Sequence, residues 1–227
     1  MKFYKTKKKN LRIQSEQHLI EILNKIRNNV TILGIKGFFC LNDIKSLLSE
    51  NPYKIFYIPK KRGGHRLICS PNKNLAFVQY CIAILLNSLY KANKNVFGFV
   101  NGKSIVDNAT KHVNKQFILN IDLKDFFNTI SEDVIIEKLI RQPYYFSYRA
   151  SKLISDLVTV QLPNGIRCLP QGAPSSPILT NIVADHMDVR LSNLCEKYGL
   201  IYSRYADDIT ISFDLPELKK NEKTRLY

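Results

Sequence analysis

Three aspartates in two stretches of the chain are the residues best suited to do chemistry. Asp122 ends an apolar run, and the adjacent Asp207 and Asp208 lie between two short apolar runs. An Asp-Asp pair alone is usually an ordinary turn, because Asp supports turns and tolerates unusual backbone geometry. The flanking apolar runs favour a second interpretation, in which converging strands carry the three acids out of a core to one site.

Three carboxylates at one site would repel one another and raise each other's pKa unless cations neutralised them. Ligands that are all oxygen atoms favour Mg²⁺, with Mn²⁺ as an alternative. Two such ions about 3.5–4 Å apart can activate an attacking 3′-oxygen and stabilise a leaving pyrophosphate. The three acids therefore predict two-metal phosphoryl transfer.

The composition narrows the substrate and the compartment. The chain has 227 residues, 45% of them hydrophobic, and a net charge of +15. Such a charge indicates nucleic acid as partner, and a basic surface that only maintains solubility is the alternative.

The five cysteines are widely spaced and form no CxxC pair, which argues against a disulfide framework or a zinc site. No apolar run is long enough to span a bilayer, and none follows the basic N-terminal arm, so we expect a cytoplasmic protein without membrane association.

Apolar spacing predicts the elements that must position the acids. Helical spacing predicts helices over residues 15–28, 74–92, 147–160 and 175–197, a short helix capped by Asn42, and another that begins at Ser131. Strands are predicted over residues 54–59, 65–69, 116–123, 200–205 and 209–213, the first two joined by a basic Gly-Gly turn. Without regular alternation of strand and helix, this pattern predicts an α+β fold.

Three motifs, in this order and spacing, resemble the reverse transcriptases of the retron type. They are NIDLKDFF at residues 120–127, LPQGAPSSP at 169–177 and YADD at 205–208. The tetrapeptide alone is weak evidence, but together with the nine-residue box it is specific. The sequence is therefore identified as a member of this polymerase family.

A further element bears on the type of reverse transcriptase. Asn108 and His112, in NATKH, match the NAxxH element that precedes the first catalytic strand in retron enzymes. The stretch 96–105 also resembles a stretch that retron enzymes share with group II intron enzymes. It therefore supports membership of the wider group that contains both types more than membership of the retron type. A group II intron or diversity-generating reverse transcriptase is the alternative within the family.

The resemblance covers residues 53–213 and implies the right-hand polymerase architecture. Fingers are expected over residues 1–105, with the basic arm, helices and a β-hairpin. The palm is expected over residues 106–227, with an antiparallel sheet backed by helices. Retron enzymes continue past YADD into a thumb, so the resemblance predicts a fragment, a truncated reading frame or one piece of a split enzyme.

By resemblance, Asp122 and Asp207 bind both metal ions. The Leu123 carbonyl adds a ligand, and Asp208 completes the acidic cluster near the primer terminus. These assignments define the expected catalytic and metal-binding set.

The resemblance also assigns nucleotide-binding residues. Arg66 matches the finger arginine that grips the triphosphate, which suits a guanidinium because it binds phosphate bidentately. Phe127 matches a steric gate whose ring would collide with a ribose 2′-hydroxyl, although a bare Phe is more often core. Gln171 and Gly172 match the residues at the incoming sugar, where glycine lets the backbone approach closely.

Three polar residues remain open between two roles. Asn108 and His112 are RNA-binding candidates, and the alternative is that they satisfy buried polar groups. Arg204, just before YADD, contacts the primer backbone or pairs with an acid.

The function implied by the resemblance is RNA-directed DNA synthesis from dNTPs. A structured non-coding RNA would serve as template and primer, and the product would act in anti-phage defence alongside an effector protein or a separate thumb-bearing chain. The alternative is a non-catalytic RNA-binding remnant, which the missing thumb favours and the intact acids disfavour.

Overall fold

A computed structural model of the chain describes residues 11–30, 39–48, 52–60 and 63–215. Residues 1–10, which make up most of the basic N-terminal arm (Lys2 to Arg12), and residues 61 and 62 of the predicted hairpin turn lie outside these residues. The helices, in chain order, are α1 (Glu16–Asn28), α2 (Leu41–Ser46), α3 (Lys73–Leu89), α4 (Ile105–Thr110), α5 (Glu132–Ile140), α6 (Tyr148–Val158) and α7 (Ser176–Lys197). The strands are β1 (Tyr53–Pro59), β2 (His65–Pro71), β3 (Phe117–Asp122), β4 (Val160–Gln161), β5 (Arg167–Cys168), β6 (Ile201–Tyr205) and β7 (Asp208–Phe213). Helices combined with antiparallel sheets confirm the α+β class.

The chain forms two compact units that alternate along the sequence. Unit 1 comprises Met1–Tyr90 and Phe127–Leu179, and unit 2 comprises Lys91–Phe126 and Thr180–Tyr227. The boundary between fingers and palm after residue 105 stays a prediction, since neither unit is one continuous stretch.

Unit 1 is built around the helices α1, α3 and α6, which pack against one another. Helix α1 begins where the Ser15 side chain accepts a hydrogen bond from the His18 N–H, and its Leu19 and Leu23 are buried. Burial of one such leucine contributes about 1.5–3 kcal/mol. The helical spacing that predicted α1 is therefore the spacing of its buried face.

The predicted basic hairpin is present in unit 1. Strands β1 and β2 pair antiparallel, with Pro59 opposite His65 at the end next to the turn. Gly63 and Gly64 have φ values of 89° and 79°, which glycine adopts without the steric cost that a side chain would add. The two glycines thus explain why the chain reverses here.

Unit 2 contains an antiparallel sheet with the strand order β3-β7-β6. Helix α7 covers one part of it, because Met187, Leu191 and Cys195 pack with Tyr202 of β6 and Ile209 of β7. An antiparallel sheet backed by a helix was the arrangement expected for the palm.

Strand β3 differs from the sequence-based expectation of a core strand. Its apolar side chains are exposed: Phe117 by 42%, Ile118 by 54%, Leu119 by 50% and Ile121 by 42%. Strand β3 lies at the edge of the sheet, and the α7 side chains named above pack on β6 and β7 instead. The expectation that apolar strands converge in a core is therefore wrong for β3 and right for Ile209 of β7.

The N-terminus of α2 also differs from the prediction. The cap is Cys40 instead of Asn42, and the Cys40 Sγ accepts a hydrogen bond from the Asp43 N–H at 3.4 Å. The preference of Asn for helix caps was misleading here because a thiol two residues earlier fills the same position.

Two predictions from composition can be compared with the structure. All five cysteines are free, as their number and spacing predicted. Within the ranges that the structure describes, no helix is both long enough and apolar enough to cross a membrane.

Candidate active site

The YADD sequence forms the tight turn between β6 and β7. Tyr205 and Asp208 are the last paired residues, so Ala206 and Asp207 make the turn. Ala206 has a φ of 58°, a left-handed conformation that costs a residue with a side chain about 1–2 kcal/mol. Such strain persists only where the surrounding structure holds the turn in place.

The buried side chain of Arg204 binds the backbone of this turn. Its Nη1 donates a hydrogen bond to the Ala206 carbonyl at 2.6 Å, and its Nε and Nη2 donate to the two Asp188 carboxylate oxygens at 2.7 Å each. Its Nη2 also donates to Asn181 Oδ1 at 3.0 Å. Of the two roles left open by the sequence, the geometry supports pairing with an acid.

Both members of this ion pair are completely buried. A buried ion pair is tolerated only where further hydrogen bonds satisfy its remaining polar atoms. Tyr202 supplies one, because its hydroxyl donates to Asp188 Oδ1 at 2.7 Å. Burial and the Asp188 charge raise the pKa of Tyr202 far above its usual range, so the hydroxyl stays a donor.

Sequence reasoning missed Asn181 and Asp188. Both are polar, both are fully buried, and they lie seven residues apart on α7, so they occupy the same helix face. A pair of polar residues at this spacing beside apolar neighbours was the available signal.

A glycine on the neighbouring segment fits closely against the turn. The Phe97 N–H donates to the Arg204 carbonyl at 2.9 Å, so residues 96–98 lie alongside β6. A Cβ atom at Gly98 would lie 2.1 Å from the Ala206 nitrogen, a distance that excludes any side chain there. Asn181 Nδ2 donates to the Gly98 carbonyl at 3.0 Å and joins this segment to the Arg204 network.

The three aspartates are neighbours in the structure, although they are distant in the sequence. Asp122 ends β3 directly opposite Asp208 of β7, and the Leu123 N–H donates to the Asp207 carbonyl at 3.0 Å. Burial raises the pKa of Asp208 above its ordinary value, and Asp207 and Asp122 raise it further. The convergence expected from the apolar runs therefore exists.

The chemistry of these residues fits a divalent cation, because crowded carboxylates bind hard cations through oxygen. In the part of the chain that the structure describes, no three Asp, Glu, His or Cys side chains already enclose a metal site. The Leu123 carbonyl accepts a hydrogen bond from the Phe126 N–H at 3.2 Å. Its use as a ligand stays a prediction.

Three of the predicted nucleotide-binding residues are held together in unit 1. Arg66 is exposed on β2, and the Cys69 N–H of the same strand donates to the Gln171 carbonyl at 2.9 Å. A Cβ atom at Gly172 would lie 3.0 Å from Ile68 Cγ2, and Gly172 has a φ of 115°. The LPQG box is therefore fastened to the strand that carries Arg66.

Phe127, the fourth of these residues, also belongs to unit 1. Its carbonyl accepts a hydrogen bond from the Ile130 N–H at 3.2 Å, and the Ile130 carbonyl accepts one from the Leu169 N–H at 2.9 Å. Backbone hydrogen bonds thus connect the segment of Phe127 to the beginning of the LPQG box.

The NAxxH residues are buried in unit 2. The ring nitrogens of His112 lie 2.7 Å from the hydroxyl oxygens of Ser203 on β6 and Ser212 on β7. The Oδ1 atom of Asn108 is buried and has no hydrogen-bond partner among the residues that the structure describes. The contacts of His112 support the buried-polar alternative, and RNA contact by either residue stays a prediction.

Aspartates on the hairpin of an antiparallel sheet, in a chain with a net charge of +15, are typical of a nucleic-acid polymerase. The family model for Reverse transcriptase (RNA-dependent DNA polymerase) matches residues 58–223, which is most of the chain. The chain therefore belongs to the reverse transcriptase family.

Curated relatives confirm the resemblance to the retron type. The chain is 34% identical to the retron Ec83 reverse transcriptase of Escherichia coli, over 75% of this chain and 56% of that protein. It is 37% identical to the retron Mx65 reverse transcriptase of Myxococcus xanthus, over 71% of this chain and 40% of that protein. The chain thus spans about half the length of the curated relatives that it matches.

Among solved structures, a telomerase from Candida albicans is similar to this chain, with a TM-score of 0.47. The sequence identity is 14%, and the similarity covers 92% of this chain and 44% of the telomerase chain. A telomerase from Candida tropicalis has a TM-score of 0.46 and 16% identity over 91% of this chain and 51% of that one.

We predict that Arg204→Met lowers the free energy of unfolding by about 3–5 kcal/mol, because it leaves the Asp188 carboxylate buried without its partner. Urea unfolding measures the loss. The double variant Arg204→Met/Asp188→Leu is expected to lose less than the sum of the two single variants, since no buried charge remains.

The matched control is Arg141→Met. Arg141 pairs with Glu137 at 2.9 Å, but both side chains are more than half exposed, so its loss is expected to cost at most about 1 kcal/mol. Equal losses for Arg204→Met and Arg141→Met would contradict a supporting role for the buried pair.

The environment of His112 predicts a pH dependence of stability. Burial lowers its pKa, and the Lys111 charge lowers it further, so the folded state resists a proton that the unfolded state accepts below about pH 6.5. Stability is therefore expected to fall as the pH drops through that value towards the folded-state pKa. In urea unfolding at about pH 7.5 and about pH 5.5, His112→Gln should lose less stability than the parent chain. The same pH dependence in both proteins would contradict the prediction.

Proposed function

We propose that this chain provides the nucleotide-adding site of a retron-type RNA-directed DNA polymerase. The observation that carries the proposal is the convergence of Asp122, Asp207 and Asp208 where β3 and β6 meet β7. These acids lie within the residues matched by the reverse transcriptase family. The reaction would extend a primer with deoxynucleotides on an RNA template.

In this proposal Asp122 and Asp207 hold Mg²⁺, with Mn²⁺ as an alternative, and Asp208 and the Leu123 carbonyl complete the site. Held there as a pair, such ions would supply activation of the primer 3′-oxygen and neutralisation of the leaving pyrophosphate. The protein's part is to keep mutually repelling carboxylates in place. Arg204 contributes by binding the carbonyl of the turn that carries Asp207.

The nucleotide would be bound by the residues of unit 1 that resemble the family's. Arg66 would grip the triphosphate, since its guanidinium is exposed near the end of the basic hairpin. Gln171 and Gly172 would contact the sugar, and the Phe127 ring would reject a 2′-hydroxyl.

The proposed partners rest on the resemblance to retron enzymes. We propose a structured non-coding RNA as template and primer, and a cytoplasmic role in anti-phage defence with an effector protein. By resemblance to retron enzymes, in which a thumb follows the palm, a thumb-bearing chain is a further proposed partner.

We expect Asp207→Asn to reduce nucleotide incorporation by about 10²–10³-fold or more, the scale of losing one electrostatic stabiliser of a transition state. Primer extension on a structured RNA in Mg²⁺ measures this. RNA binding in a filter assay should be nearly unchanged, because one carboxylate is a small part of a large basic surface.

A second readout does not depend on turnover. Mn²⁺ titration followed by electron paramagnetic resonance should show weaker binding in Asp207→Asn than in Asp133→Asn, a control at an exposed position of α5. Equal Mn²⁺ binding in the two variants would contradict the metal assignment. RNA binding by the parent chain without incorporation would favour the alternative of a non-catalytic RNA-binding protein.

Phe127→Ala is expected to raise ribonucleotide use relative to deoxynucleotide use by about 10–200-fold, the range of discrimination by one group in a pocket. Phe126→Ala is the matched control, since both rings are partly buried and only Phe127 matches the gate. Competitive incorporation of a ribonucleotide and its deoxy counterpart measures the ratio. A lowered melting temperature with unchanged sugar selectivity would make Phe127 a core residue.

A further inference from the structure

Two lysines, Lys103 and Lys111, lie over one aromatic ring in unit 2, and a third, Lys94, is near Lys111. The Nζ atoms of Lys103 and Lys111 lie 4.6 and 5.5 Å from the centre of the Phe97 ring. Burial lowers the pKa of Lys111, and the charges of Lys103 and Lys94 lower it further. Lys111 is therefore a partly buried ammonium group with two other positive charges near it.

Neutral atoms satisfy the hydrogen-bond donors of two of these lysines. Lys103 Nζ donates to the carbonyls of Asn93, Lys94 and Val96 at 3.3, 2.9 and 2.6 Å, which holds it in place. Lys111 Nζ donates to Asn95 Oδ1, and within the described ranges it makes no salt bridge.

Two acids lie near the three lysines. Asp107 faces Lys103, but its carboxylate is engaged by the N–H and hydroxyl of Ser104. Glu196 Oε2 lies 3.9 Å from Lys94 Nζ, and both side chains are largely exposed, so solvent screens the pair. An anion at Lys111 would therefore relieve repulsion that the protein leaves in place.

A cavity opens beside these lysines. It has a volume of about 400 Å³, and Lys94 and Lys111 line it together with Leu200, Ile201 and Tyr202. This volume lies within the range of small-ligand sites and is larger than a lone phosphate needs. The cavity thus combines two ammonium groups with an apolar wall, and the exposed Glu196, whose carboxylate lies 3.9 Å from Lys94 Nζ, also lines it.

Buried polar side chains form another part of the lining. Asn95 and Ser192 are 7% and 6% exposed, and Asn95 Nδ2 donates to Ser192 Oγ at 3.0 Å. The same Asn95 side chain accepts from Lys111, so this hydrogen-bond chain holds the Lys111 ammonium at the cavity. A preset cation costs less ordering entropy on binding than a freely moving lysine would.

We propose that this cavity binds one nucleotide of single-stranded RNA. The phosphodiester lies between Lys94 and Lys111, and the ribose or base lies against the partly exposed Leu200 and Ile201. The proposal rests on the proposed function in one respect, which is that RNA is the polyanion that this basic chain binds.

The position of the cavity separates it from the reacting groups. Ile201 and Tyr202 begin β6, and the YADD turn follows the last residue of that strand. At about 3.3 Å per residue the two sites are roughly 10–13 Å apart along β6. The nucleotide bound here is therefore distinct from the primer terminus and anchors another part of the RNA.

The first test compares Lys111→Gln with the parent chain in binding to a labelled single-stranded RNA. A glutamine can keep the bond to Asn95 while it removes the charge. We expect a several-fold higher Kd, and a slope of log K against log salt that is smaller by about 0.7, the value for one phosphate contact on a single strand. Lys73→Gln is the matched control, an exposed lysine at the first residue of α3 in unit 1.

The second test reports from the cavity itself. The chain has no tryptophan, so Leu200→Trp places a single reporter in the cavity wall. RNA is expected to quench its fluorescence, whereas Tyr148→Trp, at an exposed site in unit 1, should respond little. Inorganic phosphate alone should leave both signals unchanged.

The outcomes separate this inference from the proposed function. An unchanged salt slope in Lys111→Gln with normal RNA binding overturns the cavity proposal and leaves the polymerase proposal standing. Quenching of Leu200→Trp by phosphate but not by RNA also overturns it, and assigns the cavity to a free anion. Absence of any RNA binding by the parent chain overturns both proposals.

Discussion

The buried ion pair between Arg204 and Asp188 is the interaction on which the candidate site depends. The Ala206–Asp207 turn is strained at Ala206, and the hydrogen bond from Arg204 to the Ala206 carbonyl is a contact that opposes relaxation of that strain. The carboxylate of Asp188 makes the guanidinium tolerable in the interior. Tyr202 donates a further hydrogen bond to Asp188, and Asn181 accepts one from Arg204. One network of buried hydrogen bonds therefore supports the turn that carries Asp207.

The network pairs opposite charges, whereas the three aspartates beside it bring like charges together. Asp122, Asp207 and Asp208 meet at one end of the sheet, and the raised pKa of Asp208 is a direct consequence of burial and of its two neighbours. Like charges this close repel one another, and contacts of the backbone oppose their separation. These contacts are the close approach of Gly98 to the turn and the pairing of β3 with β7.

Local signals predicted most of the elements and failed in identifiable ways. Helix α1 and the hairpin of β1 and β2 were predictable because a serine cap, apolar spacing and a Gly-Gly turn are all properties of adjacent residues. The predicted cap of α2 was wrong because Asn is favoured at helix N-termini more than Cys, and Asn42 was therefore chosen over Cys40. The position of strand β3 along the sequence was predicted correctly, but its predicted burial was wrong. An apolar run does not reveal whether its strand lies at the edge of a sheet.

The sequence by itself determined the family, the three acids and the order of the motifs, because motif residues are recognisable wherever the chain carries them. Only the tertiary structure decided which partner each polar side chain has. Arg204 pairs with Asp188 on α7, His112 contacts two serines on adjacent strands, and Lys111 donates to the side chain of Asn95. These partners are set by which faces of distant elements meet, and the charge or polarity of a residue states only that it needs a partner.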